Sequence, residues 1–138
     1  MKLPLISVIL STHNQGRYLK EAIDSILKQT YKNLEFLIVN DDSTDLTRHI
    51  LQKYNDKRLK IITNKQKRGL TKSLNKAIRL SKGKYLARMD ADDVSTKDRL
   101  KTQIAFLEKN KSIIVAGSWA QVIDEKGIKG RIRKWELR

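Results

Sequence analysis

Short apolar runs alternate along this chain with longer segments in which apolar residues recur every three or four positions. The runs are rich in β-branched residues and predict strands at 5–10, 34–39, 58–63, 85–89 and 113–116, with a further extended segment at 118–123. The periodic segments predict helices at about 17–28, 46–54, 70–78 and 100–107. Four successive alternations of strand and helix are typical of a mostly parallel central sheet with helices on both faces, so the predicted fold class is α/β and Rossmann-like.

The length and composition favour one globular domain. The chain has 138 residues, no internal repeat and no linker rich in Pro, Ser or Gly, so residues 1–138 are expected to form a single domain. The last stretch, 124–138, is basic and has no clear periodicity. The absence of cysteine excludes disulfides and thiolate metal sites. No apolar run approaches the length of a bilayer span and no signal peptide is visible, so a cytoplasmic protein is expected.

The chain is strongly basic, and its charge is unevenly distributed. The formal net charge is +15, of which residues 1–64 carry +3 and residues 65–138 carry +12. A surplus of this size attracts anions, so nucleic acid, an anionic membrane surface and a phosphorylated small molecule are candidate partners, while some of the charges are simply solvated helix faces. Nucleic acid is disfavoured, because only 6% of the residues are aromatic and the acidic clusters would repel its phosphates.

Three polar junctions each follow a predicted strand, at 11–15, 40–45 and 90–93. In an open parallel sheet the carboxyl ends of the strands meet at one edge, and ligands bind there. The last junction carries Asp90, Asp92 and Asp93, and carboxylate oxygens are the ligands that Mg²⁺ and Mn²⁺ prefer. The sequence therefore predicts a site for a divalent metal, a sugar hydroxyl or both, with a solvated acidic turn as the alternative.

Other common kinds of site find little support in the sequence. Neither a dinucleotide-binding nor a P-loop glycine motif occurs, so a metal rather than a glycine-rich turn would have to neutralise the diphosphate of a nucleotide. The chain has only two histidines, His13 and His49, and no nucleophile-elbow sequence, which disfavours a serine or cysteine hydrolase. A receiver-like signalling domain is also disfavoured, because its acidic pair would follow the first strand, where this chain has Thr12, His13 and Asn14.

Three segments together resemble the family 2 glycosyltransferases of GT-A fold. They are ISVILSTHN at 6–14, IVNDDSTD at 38–45 and MDADD at 89–93. Shorter similarities occur at 18–23, 29–31, 75, 83–85 and 98–100, so the match covers nearly the whole chain in the order and spacing of the family. The resemblance implies a GT-A fold, a nucleotide-diphosphate sugar as donor substrate, and transfer of its sugar to an acceptor hydroxyl with inversion at the anomeric carbon.

The resemblance also implies roles for individual residues. In the family, the loop after the first strand lines the base and ribose pocket, and an acid after the second strand hydrogen-bonds the base. One acid of the Asp-x-Asp motif contacts the ribose or the sugar. The donor-binding residues implied here are Thr12, His13, Asn14, Asp41 and Asp90. The implied ligands of a divalent ion, Mn²⁺ or Mg²⁺, are Asp92 and Asp93.

No catalytic base is assigned, because in the family the base and the acceptor-binding elements lie on a later segment. The chain is therefore expected to be the donor-binding portion of a larger enzyme, truncated before the acceptor-binding part, with the base beyond residue 138. The alternative is a non-catalytic nucleotide-sugar-binding domain of the same fold.

The expected partners follow from the family and from the charge. They are a nucleotide-sugar and a sugar or lipid-linked acceptor, as in bacterial cell-envelope polysaccharide or lipopolysaccharide assembly. The basic surplus favours peripheral contact with the inner face of the cell membrane. An exposed Trp135 would favour self-association into a homodimer.

Three features of the loops have structural alternatives. Ser43 or Thr44 is expected to cap the following helix, with Asp45 near its positive end. The segment 65–69 either touches the donor diphosphate or is a solvated basic loop. His13 either contacts the donor base or is an incidental loop residue.

Overall fold

The computed structural model describes residues 3–134, and the chain divides into two compact units with the boundary between Lys101 and Thr102. The strands of the first unit are β1 (Ile6–Thr12), β2 (Leu34–Asn40), β3 (Leu59–Thr63) and β4 (Tyr85–Arg88). The helices are α1 (Gly16–Leu27), α2 (Thr47–Gln52), α3 (Leu70–Leu80) and α4 (Arg99–Lys109). The second unit contains β5 (Ala120–Ile123) and β6 (Lys129–Arg133).

The first unit is built on a four-stranded parallel sheet with the strand order β3-β2-β1-β4. The chain moves outward from β1 to β2 and β3, and then returns to place β4 on the other side of β1. Because crossovers between parallel strands are right-handed, this reversal puts α3 on the face of the sheet opposite α1 and α2. The predicted α/β fold with a parallel central sheet is confirmed.

The two central strands form the core because both of their faces are covered. On one face, Ile9 and Leu37 pack with Ala77 of α3. Side chains alternate between the faces along a strand, so the equally buried Val8 and Phe36 point to the opposite face. Burial on both sides explains why these strands appear in the sequence as continuous apolar runs rather than as alternating patterns.

A buried carboxylate joins the strands at the amino-terminal end of the sheet. Glu35 accepts hydrogen bonds from Ser7 Oγ (2.6 Å), from Lys82 N (2.6 Å) and from the Lys60 ammonium. A Cβ atom on Gly83 would lie 2.4 Å from Ser7 N, so only glycine permits the close approach of this segment to β1. The cluster lies at the end of the sheet opposite the polar junctions and is structural.

Replacing Glu35 with glutamine is expected to lower the free energy of unfolding by about 1–3 kcal/mol at neutral pH, because the buried acceptor loses its charge. Burial raises the pKa of Glu35, but hydrogen bonds from Lys60, Ser7 and Lys82 outweigh burial and hold the pKa below its ordinary value of 4.5. The wild-type protein therefore has this stabilisation above pH 4.5 and loses it as the pH falls through the folded-state pKa. Urea unfolding between acidic and neutral pH measures this. A pH dependence equal to that of the wild type would contradict the assignment.

The second unit contains an antiparallel hairpin of β5 and β6. The extended segment predicted at 118–123 is confirmed in part, but the strand predicted at 113–116 is wrong, because these residues pair with no strand in the described part of the chain. Ile114 and Val115 are 91% and 78% exposed, so this apolar run lacks both the ladder partner and the buried face that make a strand. Strand β6 is absent from the sequence prediction. All of its residues are exposed, so burial of one face does not require apolar and polar residues to alternate along it.

Two further expectations concern membranes and self-association. No helix within residues 3–134 is long and apolar enough to cross a membrane. Trp135, on which the expected homodimer depends, lies outside the described residues.

Candidate functional site

The loops that follow β1, β2 and β4 meet at the carboxyl ends of the strands and enclose a cavity of about 310 Å³. Its lining includes His13 after β1, Asp41 after β2, and Asp90 and Asp92 after β4, with Lys67 from the loop that precedes α3. The cavity lies where the strand order reverses, between β1 and β4, which is where open α/β sheets bind ligands. The structure thus brings residues from all three polar junctions into one acidic cavity.

Asp41 holds the loop that precedes α3. The residue is 2% exposed, and its carboxylate accepts hydrogen bonds from Arg68 N (2.8 Å), Gly69 N (2.7 Å) and Asn64 Nδ2 (2.7 Å). Burial raises the pKa of Asp41, but these hydrogen bonds outweigh burial, so the pKa lies below its ordinary value. The carboxylate is therefore ionised at neutral pH and fixes the segment 64–69 against the end of β2.

His13 joins the loops after β1 and β2. Its Nδ1 lies 2.7 Å from the carbonyl oxygen of Asp41. A carbonyl oxygen only accepts hydrogen bonds, so Nδ1 carries the proton and the orientation of the ring is fixed at the cavity wall. This contact fixes the position of the ring, and the role of His13 in donor binding stays a prediction.

The other two residues predicted after β1 are not part of the cavity lining. Thr12 is 1% exposed, its hydroxyl has no partner among the described residues, and its carbonyl oxygen accepts the N–H of Asp41 (2.8 Å). Asn14 has φ +53°, its Oδ1 accepts Thr44 N (2.8 Å), and its own N–H donates to Ser43 Oγ (3.1 Å). The observed contacts of both residues connect the first two loops, and their roles in donor binding stay predictions.

Asp45, rather than the predicted caps Ser43 and Thr44, stabilises the starts of α1 and α2. Neither Ser43 nor Thr44 caps α2, which begins at Thr47. Asp45 instead accepts hydrogen bonds from Thr47 N (2.9 Å) and, across the loop, from Gly16 N (3.0 Å) at the start of α1. One carboxylate therefore serves the positive ends of two helices, and the expected placement of Asp45 near such an end is confirmed.

The three carboxylates after β4 have different surroundings. Asp90 forms an ion pair with Arg88, with 3.0 Å between Nη2 and Oδ1. Asp92 is exposed and lines the cavity. Burial, followed by the charges of Asp90 and Asp92, raises the pKa of Asp93 above its ordinary value. The cluster therefore has an excess of negative charge that the neighbouring arginines do not cancel.

The acidic cluster fits a divalent ion that is shared with a ligand. Within residues 3–134, no group of three or more acidic or imidazole side chains is arranged to hold a metal by itself. Mg²⁺ is commonly held by one or two carboxylates together with substrate phosphates and water, so a two-carboxylate site suits it. The adjacent residues Asp92 and Asp93 are the predicted pair, of which Asp92 lines the cavity whereas Asp93 is not among its lining residues. Their assignment as metal ligands stays a prediction.

A buried glutamine positions the segment that follows the acidic cluster. Gln29 is fully buried at the end of α1. Its Nε2 donates to Thr96 O (2.7 Å) and to Ser95 Oγ (3.2 Å), and its Oε1 accepts Leu100 N (3.1 Å). Gln29 therefore ties the segment 95–100 to the end of α1, together with Ser25 Oγ, which accepts a hydrogen bond from Ser95 N (3.0 Å).

Arg99 supports the same region from the start of α4. Its Nη2 donates to the carbonyl oxygen of Arg88 (3.1 Å), the last residue of β4. The sequence predicted no role for Gln29, whereas Arg99 was expected either to form a surface pair with Asp98 at a helix start or to structure the acidic loop. The signals available were the short similarities at 29–31 and 98–100, which mark positions without indicating what they contact.

Sequence comparison places the chain among known enzymes. The profile described as glycosyl transferase family 2 matches residues 7–138. The UDP-Glc:alpha-D-GlcNAc-diphosphoundecaprenol beta-1,3-glucosyltransferase WfgD of Escherichia coli is 33% identical over 127 residues, which are 92% of this chain and 50% of that protein. The chain spans half or less of the length of the curated relatives with which it aligns.

Solved structures give the same result. S. aureus TarS 1-349 in complex with UDP has a TM-score of 0.72 and 33% identity, over 77% of this chain and 32% of TarS. The mannosyltransferase PcManGT from Pyrobaculum calidifontis, in complex with GDP-Man and Mn²⁺, has a TM-score of 0.68 and 30% identity, over 75% of this chain and 32% of PcManGT. The fold is GT-A, as the resemblance implied. The profile match, the sequence identities and the shared fold all lead to one conclusion: the chain belongs to glycosyl transferase family 2.

Proposed function

We propose that the acidic cavity binds a nucleotide-diphosphate sugar together with Mn²⁺ or Mg²⁺, and that the chain is the donor-binding part of an inverting glycosyltransferase. The observation that carries this proposal is the meeting of His13, Asp41 and Asp92 in one cavity at the reversal of strand order. Related structures of the same fold contain UDP in one case and GDP-Man with Mn²⁺ in another, which supports the proposed ligands.

The base and ribose of the donor would lie against His13 and Asp41. An ionised carboxylate has about four acceptor positions. Three of these in Asp41 are filled by Arg68 N, Gly69 N and Asn64 Nδ2. The Ser73 hydroxyl also interacts with this carboxylate and helps to lower its pKa, so an N–H of the base or a hydroxyl of the ribose would compete with Ser73 for the remaining position. The ring of His13 offers a face on which the base can stack.

The diphosphate would lie at the end of the cavity formed by the acidic cluster. Asp92 and Asp93 would hold the divalent ion, and Asp90 would accept a hydroxyl of the ribose or the sugar. Lys67 adds a positive charge to the same lining. When bound, the ion supplies Lewis-acid stabilisation of the diphosphate leaving group. The acceptor hydroxyl must lose its proton to a carboxylate base, and no described residue is assigned that role.

The acceptor is proposed to be a sugar or a lipid-linked sugar, in the assembly of a bacterial cell-envelope polysaccharide at the cytoplasmic face of the membrane. The Escherichia coli relative is named for a UDP-Glc donor and a diphosphoundecaprenol-linked acceptor, which supports this class. The net charge of +15 would draw the protein to an anionic membrane surface.

Thermal unfolding with added nucleotides tests the donor site. Mn²⁺ together with UDP or GDP is expected to raise Tm by about 10 °C when the free nucleotide is about a hundred times Kd, since binding to the native state then adds about 2.7 kcal/mol. Asp92→Asn is expected to lose most of this shift. Glu21→Gln, which removes an exposed carboxylate of α1, should retain it and is the matched control.

Two outcomes would contradict the proposal. One is a wild-type protein that is not stabilised by any nucleotide with Mn²⁺. The other is a shift of equal size in Asp92→Asn and in Glu21→Gln, because the metal would then be bound elsewhere or not at all.

A further inference from the structure

A second concave surface lies along α3 and the segment that leads into it from β3. It encloses about 540 Å³, against about 310 Å³ for the acidic cavity. Among the described residues, no carboxylate lines it. Its lining carries five cationic side chains and one amide of α3, and this α3 groove is defined by Lys65, Arg68, Lys72, Asn75, Lys76 and Arg79.

The cations of the α3 groove form a stripe rather than a scatter. Lys72, Lys76 and Arg79 are spaced four and three residues apart, so they lie one above another on a single face of the helix. Like charges at this spacing destabilise a helix by about 0.2–0.5 kcal/mol per pair. The ion pairs found within residues 3–134 include none of the five cations. The carboxylates of residues 3–134 therefore form no ion pair that would offset this repulsion.

The basic residues of the loop before α3 line two different sites. Lys67 lines the acidic cavity, whereas its neighbours Lys65 and Arg68 line the α3 groove. The two sites share a wall, because Asn64 donates to Asp41 Oδ1 (2.7 Å) and accepts a hydrogen bond from Lys76 Nζ (2.8 Å). The groove is thus next to the acidic cavity but has its own set of charges.

We propose that the α3 groove is a second binding site, which takes the phosphate groups of an anionic ligand other than the nucleotide donor. Five cations around a concave space neutralise closely spaced phosphates, as in a diphosphate or a phosphomonoester, and the guanidinium groups of Arg68 and Arg79 can each bind a phosphate in a bidentate manner. The amide of Asn75 adds a donor and an acceptor for a hydroxyl of the same ligand. The phosphate comes either from a free metabolite or from a lipid headgroup. This site does not depend on the acidic cavity holding a nucleotide.

The test measures binding of two phosphate probes by three proteins at physiological ionic strength, with EDTA present so that no metal-dependent site contributes. The first probe is inorganic tripolyphosphate, and the second is a vesicle of phosphatidylcholine with or without phosphatidylglycerol. Lys72→Gln/Arg79→Gln removes two charges of the groove. Lys53→Gln/Lys101→Gln removes one exposed charge just after α2 and one on α4, and is the control. Tm and circular dichroism verify that all three proteins are folded.

Tripolyphosphate is expected to bind the wild type, and its affinity is expected to fall about tenfold in the groove variant, as the loss of a charge-assisted hydrogen bond implies. The control variant should stay within about twofold of the wild type, because its two charges do not line the groove and are exposed to screening by salt. If phosphatidylglycerol vesicles also bind in a groove-dependent way and tripolyphosphate displaces them, the source is a lipid headgroup. If only tripolyphosphate binds, the source is a free phosphate.

The proposal would be overturned if the groove variant and the control variant lost the same affinity for tripolyphosphate. It would also be overturned if neither probe bound the wild type. Stabilisation by UDP with Mn²⁺ should be unchanged in the groove variant. Its loss there would mean that the groove is part of the donor site. If Asp92→Asn loses the stabilisation by UDP with Mn²⁺ but still binds tripolyphosphate, the two sites are independent. The donor site and the α3 groove can then be judged separately.

Discussion

Asp41→Asn is expected to destabilise the protein by about 2–4 kcal/mol and to abolish stabilisation by nucleotide with Mn²⁺. The substitution keeps the shape of the side chain but replaces one acceptor oxygen with an NH₂ group. In either orientation of the amide, that group faces one of the donors that now contact the carboxylate, Arg68 N or Gly69 N, each within 2.8 Å. A buried donor left without an acceptor costs about 1–3 kcal/mol, and the charge of the acceptor is lost as well.

Asp42→Asn is the matched control for this change. It makes the same chemical replacement at the next residue, where the carboxylate forms an exposed ion pair with Arg48. Exposed pairs contribute about 0–1 kcal/mol. Asp42 has φ +56°, which asparagine also tolerates, so the backbone should not be disturbed. Urea unfolding gives the stabilities, and hydrogen exchange at the amides of Arg68 and Gly69 reports on the loop. Wild-type protection of those two amides in Asp41→Asn would show that Asp41 does not hold the loop.

Gln29→Leu is expected to have an effect of similar size on the segment that follows the acidic cluster. The side chain is fully buried and makes hydrogen bonds to Thr96 O, Ser95 Oγ and Leu100 N, with a further one to Ser25 O. Leucine fills a similar volume but pairs with none of these groups. Leaving several buried polar groups unpaired should cost about 3–5 kcal/mol and lower Tm by roughly 10–20 °C.

The same variant tests whether Gln29 matters for the acidic cluster. The segment 95–100 follows Asp92 and Asp93, so loosening it is expected to weaken stabilisation by nucleotide with Mn²⁺ even at temperatures where the variant is folded. Gln52→Leu, which replaces an exposed glutamine at the end of α2, is the control and should change neither quantity. If Gln29→Leu lowers Tm but leaves the nucleotide-dependent shift intact, the glutamine stabilises the fold without positioning the site.

The fold of the first unit could be predicted because its central strands have a simple physical requirement. Strands β1 and β2 are buried on both faces, so they must be apolar along their whole length, and the helices between them must each present one apolar stripe. The run at 113–116 has the same appearance in the sequence. Its exposure shows that composition alone does not make a strand, since a ladder partner is also needed.

The location of the candidate site could be predicted, whereas its internal contacts could not. Topology alone brings the ends of parallel strands together, which is why His13, Asp41 and Asp92 were expected to meet. The partners of Asp41 lie 23 to 28 residues away in sequence, and those of Gln29 at Ser95, Thr96 and Leu100 lie 66 to 71 residues away. No local pattern indicates which polar side chain a distant loop will approach. Short polar residues such as Ser43 therefore appear to be helix caps in the sequence, whereas Ser43 accepts a hydrogen bond from another loop.

The location of a bound metal tests the central claim most directly. Crystals of the protein grown with UDP and Mn²⁺ would give an anomalous difference peak for the metal. The account predicts one strong peak in the acidic cavity, within about 2.5 Å of a carboxylate oxygen of Asp92 or Asp93 and of the diphosphate, with the base against His13 and Asp41. A peak outside that cavity, or a nucleotide bound in the α3 groove instead, would contradict it.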